Sequence, residues 1–270
     1  NTLKENYGRP SKGAAYALRG MVYMWKKEYD SAIKDFEEVK KCGYDLWEGK
    51  YIDFFKYENE KDKEMILPLQ YDEASGYCDN IQLMVGSRDH YDCWTELIPS
   101  ADFVDYYRNA DGSEFKWSAY LTGWDDLTPA QREVFFLRNN LTSNQSAYND
   151  AKSRIGAEVM NKYYLTSGNE ARIKKAYESR DPRLQQTIIT PYSSTNCYSP
   201  YWNSGEPMQN KVLRWPYLDR GGNNGDMWHN QRNAGYYIYK KYNETEKGRY
   251  IERLRCHCDY PLIRFTDVWL

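Results

Sequence analysis

Between Lys12 and Lys41, small and apolar residues recur at the spacing of two helices. Ala14, Ala15, Leu18, Met21, Val22 and Trp25 mark the first, and Tyr29, Ala32, Ile33, Phe36 and Val39 fall at i, i+3, i+4 and i+7 in the second. The polar break Lys26-Lys27-Glu28 allows only a tight turn, so the helices are expected to run antiparallel and pack on each other. Gly43, just after Cys42, suits the left-handed conformation that closes a helix. A lone pair of this kind cannot bury its own apolar faces and needs further pairs or another packing partner.

The finer pattern, Gly20-x2-Tyr23-x5-Tyr29-x2-Ala32-x3-Phe36, resembles the tetratricopeptide repeat, in which small residues let two helices approach and large ones fill the gaps. Arg19 stands where that repeat usually has Leu, and no second clear copy follows. The expected fold is a single, mainly α domain over 1–270: a tetratricopeptide-like helix pair over 8–43, packed against a loop-rich, mixed region over 64–260, with the start of another repeat at 261–270.

Beyond the pair, Met65 to Tyr71 reads as a short strand, and Asp72 to Pro99 is loop-rich. Ser100 is placed to cap a helix over Ala101 to Arg108, with a turn at Asp111-Gly112. Polar helical patches broken by Asn-rich loops run from Ala130 to Ala176. Tyr236 to Tyr242 alternates rings with other residues, as an extended arm would, and Asp259 to Phe265 leads into a final helix.

Charge excludes some partners. Lys and Arg number 37 against 39 Asp and Glu, so there is no basic excess to attract phosphates, and nucleic acid is not expected as a partner. Mean hydropathy is low at −0.92, but 27 Tyr and 9 Trp explain it, because such rings bury large surfaces while scoring as polar. Most of the tyrosines are expected in the core; the remainder suit sugar faces or peptide backbones. No apolar run nears the roughly 18 residues of a membrane helix. Cys78 and Cys93 are placed to bridge one loop, or to remain thiols. Cys256-His257-Cys258 lacks a second pair at zinc spacing, so no metal is assigned there.

Several landmarks stand in a specific order: Gly8-Arg9-Pro10-Ser11-Lys12-Gly13-Ala14-Ala15, Glu64-Met65-Ile66 leading to Gln70-Tyr71, and Pro99, Val104, Tyr107, Asp111-Gly112. Arg180-Asp181-Pro182-Arg183-Leu184, Gly235-Tyr236 through Lys240-Lys241-Tyr242, and Pro261 through Val268 follow. Together they resemble the SusD/RagB family, with Phe265-Thr266 and a bulky Trp269 as small departures. The resemblance implies a surface-exposed outer-membrane lipoprotein of Bacteroidota, without catalytic function, that captures a glycan as a lid on a SusC-like TonB-dependent transporter. It also implies that further repeats and the lipid anchor lie outside these residues.

In that family, insertions after the Gln70-Tyr71 strand tend to build the ligand site. The candidate platforms are Tyr77, Tyr91, Trp94, Trp117 and Trp124, with Asp79, Asn80, Arg88 and Asp89 as polar partners for hydroxyls. Trp94 and Trp117 have an equal claim to anchoring loops on the core. Trp202, Trp215 and Trp228-His229 form a second aromatic group. No cofactor is expected; a structural calcium at Asp72, Glu73 and Asp79 is compatible with the spacing but lacks an EF-hand pattern. Arg180-Asp181-Pro182-Arg183 reads as structural, with Asp181 capping a turn and the arginines pairing with carboxylates.

Two other functions remain open. A peptide-binding member of the same family would use the same rings. A glycoside hydrolase would need paired carboxylates, which 39 acids supply by chance, and neither a G-x-S-x-G nor an H-E-x-x-H pattern is present.

Overall fold

The computed structural model describes residues 7–90, 92–197, 208–219, 224–227, 236–242 and 255–269. In chain order the helices are α1 (Lys12–Trp25), α2 (Tyr29–Lys41), α3 (Ile81–Val85), α4 (Ala101–Asp105), α5 (Glu133–Phe136), α6 (Gln145–Ile155), α7 (Ala157–Tyr163), α8 (Asn169–Glu178), α9 (Pro182–Thr187) and α10 (Phe265–Trp269). The strands are β1 (Met65–Leu69), β2 (Ile188–Ile189), β3 (Ser194–Cys197), β4 (Met208–Val212), β5 (Ile238–Tyr239) and β6 (Tyr260–Arg264). They pair antiparallel as β1 with β6, β2 with β5 and β3 with β4. The fold is mainly helical, as the periodicity predicts, and none of the helices among the described residues is long and apolar enough to cross a membrane.

The chain divides into two compact units: residues 7–81 with 255–269, and the described residues between 82 and 242. In the first unit, Ser11 caps α1 by accepting the Ala14 N–H at 3.0 Å. Ala14, Ala17, Ala32 and Val39 are buried where α1 meets α2, and the Gly20 backbone lies against the Phe36 ring. The Arg19 departure has a partner on the opposite helix: its guanidinium makes two 2.7 Å hydrogen bonds to the Asp35 carboxylate. One side of the pair is covered by β1, β6 and α10 through Ile66, Ile263, Phe265 and Val268. Leu18, Val22, Trp25, Tyr29 and Ile33 remain exposed, as expected of a pair that cannot bury its own outer face.

The second unit is organised around Val134, Phe135, Phe136, Leu137, Leu141, Ile173 and Leu184. Some of its buried polar groups pair with one another: Tyr177 and Tyr237 join their hydroxyls at 2.8 Å, and Asn169 donates to the carbonyls of Val134 and Leu137 at 3.0 and 2.7 Å. Ser100 caps α4 by accepting the Phe103 N–H at 3.1 Å, but α4 ends at Asp105 rather than Arg108. The reason lies far along the chain, where Arg180 takes the Val104 and Tyr107 carbonyls.

Candidate functional site

In the first unit, Asp72 to Tyr77 folds into a tight hairpin. The Asp72 and Tyr77 backbones exchange hydrogen bonds at 2.7 and 3.0 Å, and Gly76, at φ +74°, makes the turn. The Asp72 carboxylate accepts the Ser75 N–H at 2.9 Å, and bonds from the Ser75 hydroxyl and N–H hold its pKa below the usual carboxylate range. The hairpin thrusts out the Tyr77 ring, 73% exposed.

Behind it, Glu73 faces two side chains from the end of the chain, with one carboxylate oxygen 3.7 Å from Arg255 and the other 3.8 Å from His257 Nδ1. The His257 ring stands edge-on to Tyr57, centroids 4.7 Å apart, and Tyr57 is itself exposed. Asp79 is tied to Cys256 by a backbone bridge at 2.9 and 3.4 Å, while its carboxylate accepts the Ile81 N–H. Tyr57, the Glu73 carboxylate, the Arg255 guanidinium and the His257 imidazole thus form one cluster, and Glu73 belongs to the same hairpin that ends in Tyr77. Rings supply apolar faces for sugar C–H bonds, and the polar groups meet hydroxyls.

The predicted site residues do not all gather there. Tyr77, Asp79 and Asn80 belong to the first unit; Arg88, Asp89, Trp94, Trp117 and Trp124 belong to the second. Trp117 is in the core, 7% exposed, with its indole N–H on Asp105 at 3.0 Å. It is enclosed by Phe115, Phe136 and Tyr177, so the loop-anchoring reading is the one its surroundings support. Burial raises the Asp105 pKa, and the Trp117 N–H opposes that rise. Trp124 is half-buried, stacked on Trp117 and covered by the Arg132 guanidinium 4.9 Å from its centroid. Trp94 is half-buried against Leu83 and Cys93, and Arg88 pairs with Asp92 at 2.9 Å. Asp89 is buried. Tyr91, Trp202, Trp228 and His229 lie outside the described residues. Trp215 is spent on structure, donating to Glu133 at 3.0 Å.

All six cysteines are thiols. Among the described residues, no three His, Cys, Asp or Glu side chains converge as metal ligands, and Asp72, Glu73 and Asp79 each face protein partners. Asp181 caps α9 and pairs with Arg183 at 2.5 Å, as the sequence suggests, whereas buried Arg180 goes mainly to carbonyls. His90 sits between Ser87 Oγ at 2.8 Å and Cys197 Sγ at 3.7 Å. All three are sealed from solvent, and burial pushes His90 down to about 3, so this contact offers no nucleophile to a substrate.

The family model SusD_RagB, described as the SusD family, matches residues 46–270. The chain belongs to the SusD family. Among solved structures it is similar to a SusD-like protein from Bacteroides fragilis NCTC 9343, at TM-score 0.59 and 21% identity, covering 98% of this chain and 43% of that one. A SusD-like carbohydrate binding protein from the same organism matches at TM-score 0.53 and 20% identity, covering 97% and 39%. At these identities the likeness carries the fold, and this SusD-family chain spans about four-tenths of either structure's length. A search of curated proteins finds no match.

The structure also adds residues to this SusD-family surface that sequence reasoning did not assemble: Tyr57, Glu73, Arg255 and His257. Tyr57 and His257 lie 200 positions apart, and no spacing rule links them. The available signal was the odd Cys-His-Cys run, in which both cysteines turn inward and the histidine meets Glu73.

Proposed function

We propose that this chain is a non-catalytic surface protein that captures a glycan at the Tyr77 surface and passes it to a SusC-like TonB-dependent transporter. Its place in this reading is the outer-membrane surface, held by a lipid anchor outside these residues, and the binding step requires no cofactor. The observation that carries the reading is Tyr77, an exposed ring at the end of a tight hairpin whose Glu73 meets Arg255 and His257. Membership of the SusD family and the carbohydrate binding name of one structural neighbour support it.

The test is calorimetry on the full-length protein against plant, host and microbial polysaccharides, with oligopeptides alongside. The expected result is binding of one glycan class, weakened about tenfold in Tyr77→Ala, a loss of about 1.4 kcal/mol. Binding of peptides alone would move the protein to peptide capture. Hydrolysis of a glycan would overturn the non-catalytic reading.

A further inference from the structure

A cleft of about 520 Å³ opens in the first unit between the Tyr7–Gly13 segment, Cys42 and Tyr44, and the start of β1. That volume falls within the roughly 300–1,000 Å³ of small-molecule sites. Two of its walls are set in advance. The Tyr44 hydroxyl is bonded to Ser11 Oγ at 2.7 Å, and the Tyr7 hydroxyl donates to Asp259 at 2.5 Å. Met65, Leu67 and Pro68 add apolar surface.

Among the residues that line the cleft the charges do not cancel, with the Asp259 carboxylate lying behind the Tyr7 hydroxyl. Arg9, Lys12 and Lys61 line it against one acid, Asp62, whose carboxylate already accepts the Glu64 N–H at 2.9 Å. Arg9 has neither a hydrogen bond nor an ion pair among the described residues. The Lys61 ammonium lies 5.6 Å from the Tyr7 ring centroid and forms no salt bridge among the described residues. Its neighbour Glu60 is buried, and burial pushes its pKa up to about 8, which weakens its hold on the lysine charge. A guanidinium without a partner is well suited to grip a carboxylate through two parallel hydrogen bonds.

We propose that this cleft is a second binding site, distinct from the Tyr77 surface, for a carboxylate-bearing sugar of the uronic acid class. The carboxylate meets Arg9 and Lys61, and the apolar wall takes the C–H face of the ring. The inference does not depend on what the Tyr77 surface binds.

The experiment is ligand-detected NMR and titration on the full-length protein with D-glucuronate, D-glucose and sulfate. Glucuronate is expected to bind and glucose not. Arg9→Ala with Lys61→Ala is expected to weaken glucuronate binding at least tenfold with the circular dichroism unchanged, since both side chains are exposed. Raising salt is expected to weaken binding to the parent protein more than to the double variant. Absence of glucuronate binding, or binding indifferent to the double substitution, overturns the site. Sulfate binding as well as glucuronate overturns the sugar class. Loss of glucuronate binding in Tyr77→Ala assigns it to the other surface and overturns the proposal.

Discussion

Trp117 lies stacked on Trp124, ring centroids 4.9 Å apart and planes 24° from parallel, in the core of the second unit. Its indole nitrogen is held by both oxygens of Asp105, at 3.1 and 3.0 Å. A ring enclosed in this way stabilises the fold and offers no face to a ligand. Trp117→Ala is therefore expected to cost about 3–5 kcal/mol, through lost burial and the cavity left behind. Denaturant unfolding checks this, and a loss under 1 kcal/mol would show that the ring is not packed as described.

Tyr77 is the opposite case. Its ring makes few contacts, so Tyr77→Ala is expected to change stability by less than about 0.5 kcal/mol. The same two tryptophan and tyrosine signals in the sequence thus lead to opposite outcomes in a melting experiment. A drop of several degrees in Tyr77→Ala would mean the hairpin depends on the ring.

Glu60 accepts the Asp259 N–H at 2.7 Å from a buried position, and burial, with Asp259 adding repulsion, raises its pKa from 4.5 to about 8. The unfolded chain loses this proton near 4.5 and the folded chain near 8, so unfolding releases a proton between those values. Stability is expected to fall as pH rises through that window, by up to about 1.4 kcal/mol per pH unit from this group, and to level off above it. Glu60→Gln keeps the acceptor and is expected to flatten the slope, as read by urea unfolding from pH 5 to 9. An unchanged slope would remove Glu60 as its source.

Gly20 sets two effects against each other. Alanine at a helix interior gains about 1 kcal/mol over glycine. A Cβ there would stand 2.3 Å from the Phe36 ring, which must shift in a packed interface, costing about 1–3 kcal/mol. Gly20→Ala is expected to destabilise by roughly 1 kcal/mol, and thermal unfolding that shows stabilisation would refute the close approach.

Arg180 carries its guanidinium 3.5 Å from the Phe115 centroid while bonding the Val104 and Tyr107 carbonyls. Arg180→Ala would leave the Tyr107 carbonyl without its partner, while Val104 keeps the Tyr107 N–H, so a loss of about 2 kcal/mol is expected. Arg180→Lys should recover only part of it, because an ammonium lacks the planar fork. Full recovery by lysine in the same unfolding assay would show that charge alone matters.

Much of the local architecture was legible in the sequence. The helix pair, the Ser100 cap, the turn capped by Asp181, β1 and the extended arm at Ile238–Tyr239 all follow from neighbours within a few positions. Helix period, capping and turn chemistry act over four or five residues, so one-dimensional order suffices to read them. The tertiary structure alone decided which rings face solvent. Trp117 and Tyr77 stand in similar loop-rich sequence, yet Trp117 is enclosed by Tyr177 and Phe136, while Tyr77 stands out on its hairpin. The Glu73 surface likewise exists only because β6 returns antiparallel to β1, bringing Arg255 and His257 back to the Asp72 hairpin. Burial is a property of partners distant in the chain, and no local pattern of residues encodes it.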